Sequence, residues 1–456
     1  MYLRHVLSIA LISAVCVIGC DSSNVGQSWP TPRPLGQDIK AYLPTRGPSE
    51  PEAELLAIKE PTGALTLRQA LVLVLARSPE LAAVSWQVRA AEARILQAGA
   101  MPNPEVRIRV DDFGGSGNFS GTRNSDQTLR VTQPIELGRK ALRRREVAQL
   151  EAALDGWDYE AKRLDVFTDT TKAFVVALAA QRRLALAEES HGRAERVFAA
   201  ISEGVKAGTT TLLVETRARV EVGTSRVELE RAKYAMAAAQ AALATYWGTD
   251  EPKFAQVDGD FETLAEVPAF EILRSKVESN PDVARWGTEA RLRGASVKLA
   301  KANSIPDIQV FGGARREEDS SDYGFTIALE VEVPIYDRNQ GRIREAEFNR
   351  IKAAHERRAA TVAATAALRQ AHKALAAAHT EATMLKNDVL PAAQRALDTA
   401  REGLQERLLT ELDLLRAERT LFEVKARQVG ALAAYHTAAI EVERLIGQPL
   451  SSLKAP

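Results

Sequence analysis

The chain has 456 residues, 45% hydrophobic and 26% charged, enough for one large or two medium domains with substantial cores. Its 60 basic and 60 acidic residues cancel, which excludes a bulk attraction to nucleic acid and confines any electrostatic function to local patches.

Residues 1–19 read as a signal peptide, with Arg4 as the positive start and an apolar run from Val6 to Ile18 too short to span a bilayer. The run ends in Val17-Ile18-Gly19-Cys20, which resembles a bacterial lipobox with Cys20 lipidated; an ordinary signal peptide with an incidental cysteine is the alternative. Loss of Cys16 and acylation of Cys20 leave no thiol for a disulfide. Asp21, next in the chain, bears on the sorting route, because in enteric bacteria an aspartate there tends to hold lipoproteins at the inner membrane. Residues 20–61 carry Pro30, Pro32, Pro34, Pro44, Pro48, Pro51 and Pro61, which keep out helices and central strands and predict an extended tether, either running along the outside of a folded body or disordered.

Periodic sequence begins near residue 62. Leu67, Leu71, Val74 and Leu75 mark one helix, and Ser78-Pro79-Glu80 is a capped start for a second that stops before Pro102 and Pro104. Val106, Ile108 and Val110 then alternate with Arg107, Arg109 and Asp111, and Leu129 and Val131 with Arg130 and Thr132. These predict two strands, about 104–112 and 127–135, joined by a polar loop and each long enough to cross a bilayer when tilted. After Pro134 and Gly138 the pattern is helical to Gly204, about 100 Å at 1.5 Å per residue. A Gly/Thr-rich tip at Gly208-Thr209-Thr210-Thr211 follows, then a returning helix from Leu212 to Trp247.

Residues 249–270, with Pro252, Gly259 and Pro268, break the pattern, and residues 271–449 restate the first half at an offset of about 200 residues. Asn280-Pro281-Asp282 matches Ser78-Pro79-Glu80, and Ile446-Gly447 matches Trp247-Gly248. Strands are expected at 306–313 and 325–334, the latter with Phe325, Ile327, Leu329, Val331 and Val333 on one face and Glu330 and Glu332 on the other. Phe113, Phe119, Tyr323 and Phe325 fall near the loop ends, as an aromatic girdle would. A helix rich in alanine from Gly341 to Gly403 follows, then a second tip and a last helix, with 450–456 as a tail. The fold class is therefore mainly α with a small transmembrane β part: a tandem-repeat long-helix α-barrel plus four strands per protomer. Four such strands cannot close a barrel, since open edges in lipid leave amides unsatisfied, so the barrel must be shared between chains.

The tandem repeat, the junction prolines Pro104, Pro134, Pro306 and Pro334, and the two tips resemble the outer membrane efflux protein (TolC) family over Leu65 to Pro449. The lipobox adds a resemblance to its lipoprotein branch of heavy-metal and drug efflux components. The resemblance implies a homotrimer with a twelve-stranded barrel in outer-membrane lipid, continued by a helical tunnel through the periplasm. Its partners would be a periplasmic adaptor and an inner-membrane pump; no nucleic acid, cofactor or resident metal is implied. It also implies a tunnel gate at Asp413, with Glu411 beside it and Arg416 where the family carries a second aspartate, and adaptor contacts at the tips, including Glu406 and Arg407. By alternation Arg107, Arg109, Asp111, Arg130, Glu330 and Glu332 line the barrel lumen. His191, His355, His372, His379 and His436 lack the spacing of a metal site, and no catalytic constellation is present, so no enzymatic activity is predicted. A lipid-anchored periplasmic coiled-coil scaffold or adaptor without a pore is the alternative.

Overall fold

The computed structural model describes residues 29–37, 39, 58–122, 124–406 and 408–453; the signal peptide, Cys20 and Arg407 lie outside them. The chain forms two compact units, one built of residues 90–153 and 290–351 with Trp29, the other of 30–89, 154–289 and 352–456. In chain order the elements are β1 (Ala64–Thr66), α1 (Leu67–Arg77), α2 (Pro79–Gly99), β2 (Glu105–Asp111), β3 (Asp126–Ile135), α3 (Lys140–Lys206) and α4 (Leu212–Thr245). There follow β4 (Gln256–Asp258), α5 (Phe270–Arg274), α6 (Pro281–Ala302), β5 (Ile308–Glu317), β6 (Tyr323–Val331), α7 (Gln340–Met384), α8 (Leu390–Gln405) and α9 (Glu411–Ile446).

The repeat is visible in backbone detail. Ser78 Oγ accepts from Leu81 N, and Asn280 Oδ1 accepts from Asp282 N, so Pro79 and Pro281 each open a helix where a missing amide costs nothing. Gly248 and Gly447, at φ +80 and +69, end α4 and α9 in the left-handed region that favours glycine. Arg139 and Asn339, at φ 59 and 58, make the same left-handed step just before α3 and α7.

The unit holding the sheet is an antiparallel β2-β3-β5-β6 array with β2 and β6 as its edges. Strand β5 continues to Glu317, four residues past the expected end, because Arg315 pairs with Asp126 across the ladder and, at 3.5 Å, with Glu317. Pro134 does not end β3; it lies inside the strand, paired with Gln309. Strand β2 pairs with β3 only as far as Thr132, so a missing amide at Pro134 leaves nothing wanting on that side. Pro334, by contrast, follows β6, which ends at Val331 and leaves Glu332 outside the ladder.

The other unit contains the main core, in which Leu65, Leu73, Val74, Phe174, Leu243, Trp247, Phe254, Phe261 and Leu432 are buried. Each such side chain contributes about 1.5–3 kcal/mol on leaving water. Parallel pairing of β1 with β4 ties the start of the first repeat to the inter-repeat segment. Three side chains from α7 and α9 clamp that segment: Tyr435 Oη accepts from Ala265 N and donates to its carbonyl, His436 Nε2 meets Phe261 O at 3.1 Å, and His372 Nε2 meets Pro268 O at 2.9 Å. Between α7 and α8 the helix widens to a π turn over Leu385–Val389. Pro391, which has no amide to give its helix, follows at once, and the wider turn absorbs the mismatch.

The proline-rich lead is docked rather than loose over its described part. Arg33 N donates to Glu160 Oε1, Arg163 donates to the carbonyls of Arg33 and Leu35, and Leu35 N donates to Gly447 O. Arg33 also lies 4.8 Å over the Trp157 ring.

Candidate pore wall and helical tips

Because paired residues on neighbouring strands share a face, the register sorts the sheet into two surfaces. One carries Val106, Ile108, Leu129, Val131, Val310, Phe325, Ile327, Leu329 and Val331. Ile327 is 87% exposed and Phe325 84%, a contiguous apolar surface of the kind that marks a membrane or protein contact. Expected lumen residues Arg107, Arg109, Asp111, Arg130 and Glu330 all fall on the opposite surface, together with Glu105, Asp126, Arg315 and Glu317. Glu332 is exposed, but without a strand partner its side is not set by the ladder.

Charges on the polar surface are paired. Arg107 meets Glu105 at 2.8 Å, Arg109 meets Asp111 at 3.9 Å, and Arg130 meets Glu330 at 4.0 Å while stacking 3.2 Å over the Phe311 ring. Gly313 makes that stack feasible: a Cβ there would lie 2.7 Å from the Leu129 carbonyl and 3.6 Å from Arg130 Cβ. Toward the loops, Asp111, Asp126 and Glu317 stand side by side on three strands. Like charges so placed repel, and Arg109 and Arg315 offset that repulsion.

Where β3 gives way to α3, Gly138 at φ +69 packs against Ile305, and Asp307 accepts from Leu137 N and pairs with Lys140. Arg144 forks onto both oxygens of Glu136 and donates to the carbonyls of Ala98 and Ala100. Arg144 thus fastens the end of α2 to the junction, a role that the run of arginines in the sequence does not reveal. Pro104 and Pro306 lie just before β2 and β5 and limit the preceding helices.

At the first tip Gly208 takes φ +73 with open space around it, so conformation and not crowding requires glycine. Thr209 donates through its amide and its hydroxyl to Gly204 O, Thr210 packs beside Gly204, and Thr211 stands at the start of α4 without a side-chain cap. The second tip is built differently. Glu406 caps the end of α8, and Thr410 and Asp413 form a reciprocal capping box, with Thr410 Oγ1 accepting from Asp413 N while Asp413 Oδ2 accepts from Thr410 N and Oγ1. Glu411 lies in the same first turn, and Arg416 is 4.0 Å from Asp413. Leu212, Leu213 and Leu408 are exposed at the tips.

The hydrogen bonds from Thr410, aided by Arg416, hold the Asp413 carboxyl below its ordinary range. A depressed carboxyl supports the fold above the ordinary value of about 3.9 and loses that support as pH falls through its lower folded value. Amide exchange at the start of α9 is therefore expected to be level from roughly pH 5 to 8, apart from intrinsic exchange, and to rise only in acid. Thr410→Ala is expected to cost about 1 kcal/mol, seen as a lower denaturation midpoint and faster exchange over residues 411–414.

Above the second tip, an ion network absent from the sequence reading joins α3, α8 and α9. Glu189 pairs with Arg193 and, at 3.6 Å, with Lys425; Arg193 lies 5.4 Å over Phe422; Glu418 meets Arg401 at 3.9 Å. Burial raises the Glu418 carboxyl pKa, opposed by Arg193, Arg401 and Arg196. Seven-residue spacing from Glu411 to Glu418 to Lys425 was the available signal. Among the described residues, no three His, Cys, Asp or Glu side chains gather as a metal-ion site requires, and no single helix is long and apolar enough to cross a membrane.

The profile described as "Outer membrane efflux protein" matches residues 70–249 and 273–448, the two repeats. Over 390 residues, covering 86% of this chain and 92% of the relative, the sequence is 33% identical to the cobalt-zinc-cadmium resistance protein CzcC of Cupriavidus metallidurans. It is 27% identical over 283 residues, 62% of this chain and 66% of the relative, to the nickel and cobalt resistance protein CnrC of the same organism. Among solved structures, CusC superposes with a TM-score of 0.72 at 18% identity, covering 84% of this chain and 92% of that one. With both repeats matched and a relative at this identity spanning most of its length, the chain belongs to the outer membrane efflux protein family.

Proposed function

We propose that this protein is the outer-membrane exit duct of a tripartite efflux assembly: a homotrimer that passively conducts divalent metal cations delivered by an adaptor and an inner-membrane pump. One observation carries the reading: a four-stranded sheet with two open edges, one face apolar and exposed, the other charged. In lipid each open edge would leave amides unsatisfied at a cost of several kcal/mol apiece. Strand β2 runs from helix to loop and β6 from loop to helix, so the edge of one copy meets the edge of the next antiparallel, and three copies give a closed barrel of twelve strands. Metal cargo is supported by the resistance named in CzcC and CnrC and by the acidic row Asp111, Asp126 and Glu317 near the loops. The tips would meet the adaptor through Leu212, Leu213, Leu408 and the turns at Gly208-Thr209-Thr210-Thr211 and Glu406. Glu411 and Asp413 would set the charge of the inner mouth, with Asp413 also holding the helix start in shape.

Planar-bilayer conductance measured together with oligomer mass tests the proposal. Wild type is expected to be trimeric, with stepwise conductance favouring cations. Asp111→Asn combined with Asp126→Asn and Glu317→Gln is expected to lower the cation-to-anion permeability ratio several-fold while leaving conductance intact. A monomer without pores in several detergents would overturn the duct.

A further inference from the structure

The outward face of the sheet carries one charged side chain among its described ladder residues, Arg316. Its rung is Val110, Gln127, Arg316 and Tyr323, the one nearest the loops. Every other rung of that face holds aliphatic residues, Phe325, glutamine or glycine. A lone arginine on lipid would be costly at the bilayer centre and tolerable at its edge. The register places it: Ile308, on the same face at the helix end, is eight residues from Arg316. That is about 27 Å of strand, or about 20 Å of height at barrel tilt, close to the apolar band of about 25 Å. The Arg316 side chain, 38% exposed, therefore leaves the hydrocarbon at the headgroups of the outer leaflet.

Its surroundings engage one nitrogen of the guanidinium, while the side chain as a whole keeps more than a third of its surface exposed. Glu318 accepts from Nη2 and lies 3.2 Å away, and the Tyr323 ring is 5.8 Å from the guanidinium carbon. Nε is buried and has no hydrogen-bond partner. A buried donor without an acceptor costs about 1–3 kcal/mol, a cost that turning the partly exposed guanidinium toward the headgroups would relieve, and at that boundary the acceptor that best matches an arginine fork is a phosphate. We propose that Arg316, with Tyr323 beside it, binds the phosphate of a phosphorylated lipid of the outer leaflet and seats the barrel against that leaflet. The inference rests on the barrel orientation of the duct reading.

Full-length protein in mixed micelles, titrated with diphosphoryl lipid A and, separately, with the same lipid dephosphorylated, gives the test by counting retained lipids in native mass spectrometry. Wild type is expected to retain the phosphorylated lipid about tenfold more strongly than Arg316→Gln. Arg107→Gln, the same change on the opposite face in β2, is expected to match wild type, and Arg316→Lys to keep part of the preference. Equal retention by wild type and Arg316→Gln, or an equal loss in Arg107→Gln, would overturn the site. Displacement of lipid by inorganic phosphate at matching concentration would reduce it to a general anion contact and overturn the lipid assignment. Should Arg316→Gln fail to assemble, the comparison of the two lipids on wild type and Arg316→Lys decides: no preference for phosphate sinks the proposal. Conductance separates the two readings, because pores that form normally without a phosphate preference refute the lipid site alone.

Discussion

Val131→Arg is expected to remove the protein from the outer-membrane fraction, whereas Thr132→Arg, one residue on, is expected to leave it there. Val131 lies on the middle rung of the outward face, with Val106, Gly312 and Ile327. Arginine at the bilayer midplane of a barrel costs about 2–4 kcal/mol per site, and three copies bring the sum to about 6–12 kcal/mol. That sum is comparable with the whole net stability of a domain, about 5–15 kcal/mol. Thr132 faces the other way, beside Glu105 and Phe311, where a guanidinium gains a carboxylate partner and keeps its water. The assay is fractionation with detection of assembled trimer. Equal behaviour of the two variants, whether both inserted or both lost, would contradict the sidedness on which the pore rests.

That sidedness was legible in the sequence because strand alternation has a period of two and needs only a few residues to be seen. The same holds for the offset of about 200 residues, which repeats whole patterns. What stayed hidden depended on backbone geometry and on partners that a pattern of residue types does not show. Pro134 reads as a strand terminator until β2 is seen to stop at Thr132. The helix expected from Gly341 to Gly403 does run through Pro391, but the π turn over Leu385–Val389 that carries it past the proline has no signature in the sequence. Resemblance puts Asp413 at a constriction, and Thr410 three residues earlier adds a capping box that the residue types themselves spell. The histidines lack metal spacing in sequence, and in the fold His372 and His436 meet backbone carbonyls of the inter-repeat segment.

The docked lead shows the same limit most sharply. A stretch without periodicity gives no sign of what it touches, and its binding site is a pair of charges inside α3. Glu160 and Arg163 are 2% and 3% exposed and joined at 2.8 Å, and Glu160 Oε1, Arg163 Nη1 and Arg163 Nη2 also bond the backbone of Arg33 and Leu35. Removing one member of such a pair strands the other charge, at a cost of about 3–5 kcal/mol. Glu160→Ala is therefore expected to lower the thermal midpoint sharply and to expose the segment around Arg33 to protease. Glu160→Met with Arg163→Leu should recover most of the stability, because an apolar pair has no charge to strand. It should not restore protection of the lead, whose carbonyls at Arg33 and Leu35 and amide at Arg33 would still lack their partners. If the double variant protects the lead as well as wild type does, apolar packing of Leu35, buried at 3%, holds the segment and the ion pair is dispensable for docking. Loss of stability and of protection in parallel in both variants would instead mean that the lead is a structural part of the core.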